Sequence, residues 1–199
     1  MQNPASAVGQ SLVRDFSKDA PMVSGEAAIE VVSYDPAWPA RFDEERQDIR
    51  RVLGSWLAGP IEHIGSTAIP GIAAKPVIDI MAGVESLGAS AAAIPAAATL
   101  GYCYFPYQPD LKHWFCKPSP NLRTHHLHLV PIGTPQWVRA LAFRDYLRVD
   151  AKAAAEYETL KRRLAQTFKF DREAYTEAKS PFINAVTEKA LASGYGGKR

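Results

Sequence analysis

The sequence is poor in cysteine, in long hydrophobic runs and in targeting signals. Its 199 residues include two cysteines, Cys103 and Cys116, whose spacing is not that of metal ligands. We read them as ordinary reduced thiols of a cytoplasmic protein. No apolar run approaches the length that crosses a bilayer, and the amino terminus lacks a basic segment followed by an apolar one. We therefore expect no membrane partner and a cytoplasmic location.

A strong excess of charge is also missing, because the formal net charge is only +2. So small an excess gives little general attraction for a polyanion, which argues against strong non-specific binding of nucleic acid. Hydrophobic residues make up 47% of the chain, enough for one well-buried core at this length. The composition predicts one globular domain and does not indicate an oligomeric state.

Hydrophobic periodicity is weak at the amino terminus and clear afterwards. We predict a flexible extension over residues 1–28, one domain over residues 29–192 and a flexible tail over residues 193–199. The predicted strands cover residues 29–33, 61–64, 76–84, 102–105, 115–117 and 125–131. The predicted helices cover residues 40–57, 87–100, 135–148, 151–168 and 172–192. A helix, then a mixed sheet, then terminal helices is an α+β arrangement.

The clearest chemical pattern lies in residues 61–80. A short apolar run ends at Gly65 and Ser66, and a second apolar run contains the single acidic residue Asp79. A glycine-serine turn exposes N–H groups and a hydroxyl, which suit phosphate oxygens. A carboxylate inside an apolar strand is costly to bury unless it meets a cation or a hydrogen-bond donor. The pattern indicates a phosphate cradle beside a metal-facing carboxylate, the layout of a nucleotidyl-transfer site.

Residues 61–80 also resemble the signature of the GrpB-like family, which is assigned to the nucleotidyltransferase superfamily with a DNA polymerase beta-like fold. Further segments follow the family order over residues 31–38, 123–129, 143–148 and 171–183. The resemblance implies a single α+β domain in which α-helices flank a nucleotidyltransferase-like mixed β-sheet. The same domain occurs fused to dephospho-CoA kinases, which suggests a link to coenzyme A metabolism.

The resemblance implies roles for individual residues. Ser66 and Asp79 match catalytic positions, and Asp79 matches the first metal-binding carboxylate. The superfamily then expects a second acidic residue two positions later, where this chain has Met81. A thioether is a poor ligand for Mg²⁺, so the usual two-carboxylate motif is incomplete. Whether the protein turns over a substrate is therefore open.

Two histidines offer an alternative to the missing carboxylate. His126 and His128 share one face of a predicted strand, and their segment resembles the family's His-Leu-His strand. One hypothesis is that Asp79, His126 and His128 converge on one divalent ion, with Mg²⁺, Mn²⁺ and Zn²⁺ as the candidates. A two-histidine-one-carboxylate set suits iron, manganese or zinc better than magnesium. The alternative is that the histidines bind phosphate or hold the strand through hydrogen bonds.

A further set of side chains is predicted to bind phosphate or nucleotide, partly from the resemblance and partly from positions at strand ends. The set is Gly65, Ser66, Thr67, Lys75, Lys117, Arg144, Tyr146, Arg148, Tyr157 and Lys161. The alternative is that the helical charges form ordinary surface ion pairs. Tyr102, Tyr104 and Tyr107 either line the mouth of the cleft and stack a base or simply pack in the sheet.

Three functions remain open. The first is a nucleotidyltransferase-like enzyme that acts on a nucleotide or another phosphorylated small molecule. The second is a nucleotide-binding module without catalysis. The third is a protein-interaction domain linked to coenzyme A metabolism. In the first two, the partner is a small phosphorylated molecule or a nucleotide.

Overall fold

The computed structural model describes residues 27–196, so residues 1–26 of the predicted extension and residues 197–199 of the predicted tail lie outside the described residues. The elements are α1 (Trp38–Leu53), β1 (Leu57–Ile64), β2 (Ile78–Val84), α2 (Ala93–Ala98), β3 (Cys103–Phe105), β4 (His113–Pro118), β5 (Arg123–Pro131), α3 (Pro135–Val149), α4 (Ala151–Thr167), α5 (Arg172–Glu177) and α6 (Ser180–Ala192). In this part of the chain, every helix is too short or too polar to cross a membrane.

Five strands form one mixed sheet in the order β1-β2-β5-β4-β3. The central strands β2 and β5 are parallel, and every other neighbouring pair is antiparallel. The parallel register sets Asp79 beside His126 and Met81 beside His128. The predicted α+β fold, with a mixed sheet flanked by helices in one domain, is confirmed.

The two faces of the sheet are covered by different helices. Strand alternation directs Ile80, Leu127 and Leu129 towards α1 and α2, where they form the main core with Trp38 and Phe115. A cluster of this kind excludes water from one whole side of the sheet.

On the opposite face, α3 contacts β1 and β5, and its Trp137 packs on Met81 and Val130. Asp79, His126 and His128 alternate with the core residues, so they lie on this second face. The helices that follow β5 therefore cover the polar part of the sheet.

Local capping signals placed the terminal helices correctly. Thr134 caps α3 by accepting a hydrogen bond from the N–H of Trp137 at 3.4 Å. Asp150 caps α4 by accepting one from the N–H of Ala153 at 2.9 Å. Side-chain oxygens at these positions satisfy N–H groups that the first turn leaves unpaired.

Several predicted boundaries are wrong, each for a local reason. Residues 29–33 form no strand, since only Val32 makes an isolated bridge, to Ala74. The predicted helix over residues 40–57 ends at Leu53, and Leu57 begins β1. The predicted helix over residues 87–100 shortens to α2, whose first turn contains Pro95. Pro181 likewise occupies the first turn of α6, so the predicted final helix is divided into α5 and α6.

Candidate functional site

Three of the predicted site residues lie together on the second face of the sheet. Asp79, His126 and His128 each offer a ligand atom, and these atoms lie within 4.8 Å of one another. His126 Nδ1 donates a hydrogen bond to Asp79 Oδ1 at 2.8 Å. The cluster follows directly from the parallel register of β2 and β5, which brings the residues side by side.

One ring nitrogen of each histidine lacks a hydrogen-bond partner within residues 27–196. These atoms are His126 Nε2 and His128 Nε2, and both are buried. Because the Nδ1 of His126 carries the proton that it donates to Asp79, its Nε2 carries the lone pair. A buried nitrogen without a partner is costly, so these two atoms are the candidate ligand-binding atoms of the cluster. Imidazole nitrogens suit a divalent ion, and the hydrogen bond from Nδ1 places Asp79 on the other side of the His126 ring, where it orients the imidazole.

The ionisation of the cluster also suits an ion. Burial lowers the pKa of His128 to about 3, which keeps its imidazole neutral at pH 7. Burial alone would raise the pKa of Asp79, but the hydrogen bond from His126 and nearby positive charge, including Lys179, bring it below its usual value. Neutral imidazole and ionised carboxylate are the forms that bind metals.

The glycine-serine turn lies directly against this carboxylate. Gly65 has a φ of +69°, and a Cβ added to it would lie 2.4 Å from Asp79 Oδ2. The Ser66 side chain lies near the hydroxyl of Tyr157, whose pKa burial raises to about 12. The predicted turn and the predicted carboxylate are therefore parts of one cleft.

Gly65→Ala is expected to weaken Mn²⁺ binding by about 10-fold, because the new methyl group displaces the Asp79 carboxylate. It should also lower the free energy of unfolding by about 1 kcal/mol, through the positive φ. Gly71→Ala is the matched control, since its φ is +81° but a Cβ there meets nothing within 4 Å. Calorimetry and thermal unfolding separate the two effects. Equal Mn²⁺ affinity in both variants would show that Gly65 does not set the position of Asp79.

Two lysines that the sequence analysis did not single out lie beside the cluster. Lys179 precedes α6, with Nζ 4.2 Å from the centroid of the Tyr175 ring. Lys112 precedes β4, with Nζ 5.0 Å from the centroid of the Tyr107 ring. Burial lowers the pKa of each lysine to about 8, and the charge of Asp79 partly opposes the shift. Nothing in their local sequence marks either lysine, because only the folded chain brings them to Asp79.

Lys75 adds a third positive charge to this region. Its Nζ lies 5.8 Å from the centroid of the same Tyr175 ring, and its charge contributes, after burial, to the lowered pKa of Lys179. The charges of Lys112 and Lys179 both act on Asp79, and positive charge of this kind favours an anionic ligand.

Other predicted phosphate-binding residues have partners elsewhere. Lys117 lies on the opposite face of the sheet and pairs with Glu45 of α1. Thr67 is buried, and its hydroxyl donates to the carbonyl of Val77 at 3.0 Å. Neither side chain lies in the Asp79 cleft, so we leave both out of the proposed site.

The basic and aromatic residues of α3 also have hydrogen-bond partners within the protein. Arg144 donates to Glu62 at 2.6 Å and to Asp145 at 2.7 Å. Arg148 donates to the carbonyl of Ala68 at 2.9 Å. The remaining residue, Tyr146, donates its hydroxyl to Asp150 at 2.6 Å. Their predicted phosphate contacts stay predictions and do not enter the proposal.

Lys161 is buried beneath the loop that leads to β2. Its Nζ donates to the carbonyl of Ala73 and lies 4.7 Å from the centroid of the Tyr157 ring. Burial lowers its pKa to about 7. Lys161 therefore fixes the loop that carries Lys75 against α4, which is a structural role near the cleft.

The free energy of unfolding should depend on pH because Lys161 is buried. Between its folded pKa of about 7 and its ordinary value of 10.5, the unfolded chain binds one more proton than the folded chain. Lys161 should therefore make the free energy of unfolding rise with pH in this window, by at most about 1.4 kcal/mol per pH unit. Lys112 and Lys179, whose pKa values are about 8, add to the rise above that pH. Lys161→Met should therefore reduce the rise, most clearly between pH 7 and 8, and Lys152→Met, an exposed change on the same helix, should leave it unchanged. Denaturant unfolding from pH 7 to 10 measures the slope, and equal slopes in all three proteins would contradict the prediction.

Known proteins with similar sequences give the family context. The family model described as GrpB protein matches residues 28–189. A UPF0157 protein of Pseudomonas aeruginosa is 38% identical over 169 residues, which are 83% of this chain and 69% of the relative. A dephospho-CoA kinase of Mycolicibacterium paratuberculosis is 30% identical over 190 residues, which are 82% of this chain and 46% of the kinase.

A solved structure agrees with the family match. The crystal structure of conserved protein GrpB from Enterococcus faecalis has a TM-score of 0.75 to this fold and is 35% identical in sequence. The similarity covers 82% of this chain and 98% of that chain. With most of the domain matched in both sequence and fold, this chain belongs to the GrpB family.

Proposed function

We propose that the protein binds a nucleotide or another phosphorylated small molecule in the cleft between the Gly65–Ser66 turn and the second face of the sheet. In this proposal, the Nε2 atoms of His126 and His128 bind one divalent ion there, and Asp79 orients His126 through its hydrogen bond and adds negative charge. The observation that carries the proposal is the pair of buried Nε2 atoms beside Asp79, which lack partners within the described residues. The layout supports placing the fold in the nucleotidyltransferase superfamily.

The charge of the cleft supports a phosphorylated ligand. Lys112 and Lys179 both interact electrostatically with Asp79, and Lys75 lies close to Lys179. Phosphate oxygens accept charge-assisted hydrogen bonds from ammonium groups such as those of Lys112 and Lys179. The lysines would hold the phosphate charge, and the N–H groups of the glycine-serine turn would meet its oxygens.

Imidazole donors favour manganese, iron or zinc over magnesium, which prefers oxygen ligands. Met81 occupies the position of a second carboxylate and packs under Trp137, which leaves room for one ion in the proposal. When bound, such an ion would polarise a phosphate oxygen as a Lewis acid.

A second candidate is a domain that binds its ligand without turnover. The buried Met81 favours it, because only one carboxylate is present where two are usual. Similarity to part of a dephospho-CoA kinase suggests that such a domain serves coenzyme A metabolism, as a nucleotide-binding or protein-interaction module.

Thermal unfolding and calorimetry test the proposal, with ATP as the probe and with Mn²⁺, Mg²⁺ or no metal. We expect ATP to raise the melting temperature, and Mn²⁺ to increase that shift more than Mg²⁺. A ligand at 100 times its Kd stabilises the folded state by about 2.7 kcal/mol, which such an experiment detects. Binding of ATP that is equal with and without metal would favour the module without turnover. No response to ATP or to Mn²⁺ would refute the proposal and leave the interaction domain.

A further inference from the structure

The sheet face that carries the metal cluster continues onto β4 and β3, where it is aromatic. Trp114 lies opposite His128 in the register of β4 and β5, and Phe105 lies opposite Trp114 in that of β3 and β4. Tyr107 follows in the loop after β3. Phe105 and Trp114 are half-buried, and Tyr107 is 50% exposed. We call Phe105, Tyr107 and Trp114 the aromatic patch.

The aromatic patch touches the metal cluster. The centroid of the Trp114 ring lies 5.1 Å from that of His126, 5.8 Å from that of Phe105 and 6.2 Å from that of Tyr107. Trp114 therefore connects the cluster to the exposed edge of the sheet. A ligand bound at His126 would therefore contact Trp114 directly.

Cations lie over two rings of the aromatic patch. The Arg123 guanidinium lies over the Trp114 ring, 5.4 Å from its centroid, and Lys112 Nζ lies over Tyr107. A base that stacks on Trp114 would therefore use the other face of the ring or replace the guanidinium there. Aromatic rings in contact with arginine and lysine are typical of surfaces that stack a base and hold its phosphates.

We propose that the aromatic patch stacks the base of a nucleotide whose phosphates reach the Asp79 cluster. This inference rests on the proposed function and narrows its ligand from phosphorylated molecules in general to those with a nucleobase. Stacking tolerates any base, because every base has an aromatic face. Of the three tyrosines for which stacking or packing was left open, Tyr102 and Tyr104 pack against Phe115 on the core face. Only Tyr107 belongs to the aromatic patch.

Calorimetry with ATP and with inorganic triphosphate, both in Mn²⁺, tests the inference because the two probes differ by the nucleoside. We expect ATP to bind the wild type more tightly than inorganic triphosphate. Trp114→Leu should weaken ATP by about 5- to 100-fold and leave inorganic triphosphate unchanged. Trp114→Phe, which keeps a ring, should retain most of the ATP affinity. Tyr104→Leu is the matched control, because Tyr104 lies on the same hairpin and faces the core side.

Each outcome decides one of the two proposals. Equal affinity of the wild type for both probes overturns the base site while the phosphate site stands. Failure of both probes to bind overturns both proposals. Equal weakening of the two probes by Trp114→Leu would show that Trp114 only supports His126, and this result also overturns the base site. Tyr107→Ser, at an exposed position, repeats the test if the tryptophan variant does not fold, and an unchanged preference for ATP would then count against the inference.

Discussion

Asp79→Asn is expected to weaken the binding of Mn²⁺ or Zn²⁺ by about 100-fold while the fold remains intact. The amide keeps the shape of the carboxylate but loses the negative charge that offsets the nearby lysines. It also changes the hydrogen bond with His126, in which the carboxylate now accepts from Nδ1 at 2.8 Å. With an amide nitrogen facing it, His126 would have to carry its proton on Nε2, the atom that the proposal assigns to the metal.

Calorimetry at pH 7.5 measures this loss, and circular dichroism shows whether the fold survives. Glu85→Gln is the matched control, because it removes an exposed carboxylate just after the same strand. The control should bind metal like the wild type. If Asp79→Asn also binds metal like the wild type, the cluster is not a metal site, and its buried nitrogens must serve another ligand.

The residues of the Asp79–His126–His128 cluster could be identified from the sequence because strand geometry repeats every two residues. Alternation predicted that His126 and His128 share a face, and the sequence predicted strands over residues 76–84 and 125–131. Once those strands pair in parallel, the meeting of Asp79 with His126 follows from the register alone. The function of the cluster does not follow from this geometry and stays a prediction.

The lysines of the cleft could not be identified in the same way. Lys179 interacts electrostatically with Asp79 only because α5 and α6 fold back over the sheet, and Lys112 does so because of the loop before β4. Both interactions join parts of the chain that no local period relates. For Arg144 the local pattern was present but pointed to a different partner, because its helical spacing resembled a phosphate-binding pattern. In the fold its guanidinium meets Glu62 of β1, a partner that helix periodicity cannot indicate.

The aromatic residues show a further limit of strand patterns. Alternation states that Phe105 and Tyr104 face opposite sides, but it does not state which side is the core. The sequence analysis left open whether the tyrosines stack a base or pack in the sheet, and in the fold Tyr104 packs on Phe115 while Phe105 packs on Trp114. The side is decided by how α1 and α2 cover the sheet, which depends on the whole chain.

Lys179→Met should weaken ATP binding by about 10-fold or more, both with Mn²⁺ and without metal. A charge-assisted hydrogen bond contributes about 1.5–3 kcal/mol, and the proposed role of Lys179 is to make such a bond to phosphate. The same change should leave the free energy of unfolding equal or higher at pH 7. Burial lowers the pKa of Lys179 to about 8, which means that the folded protein holds this charge at a cost. A residue that weakens stability and strengthens binding is typical of a binding site.

Lys189→Met is the matched control for this prediction. Lys189 lies within α6, its Nζ is 5.1 Å from the centroid of the Tyr146 ring, and it pairs with Asp150 at 3.6 Å. It therefore has the same charge and a similar ring contact but lies beside a different tyrosine. Calorimetry with ATP and thermal unfolding of both variants give the comparison. If the two variants lose the same ATP affinity, the loss reflects the general charge of the protein, and Lys179 does not bind the phosphates directly.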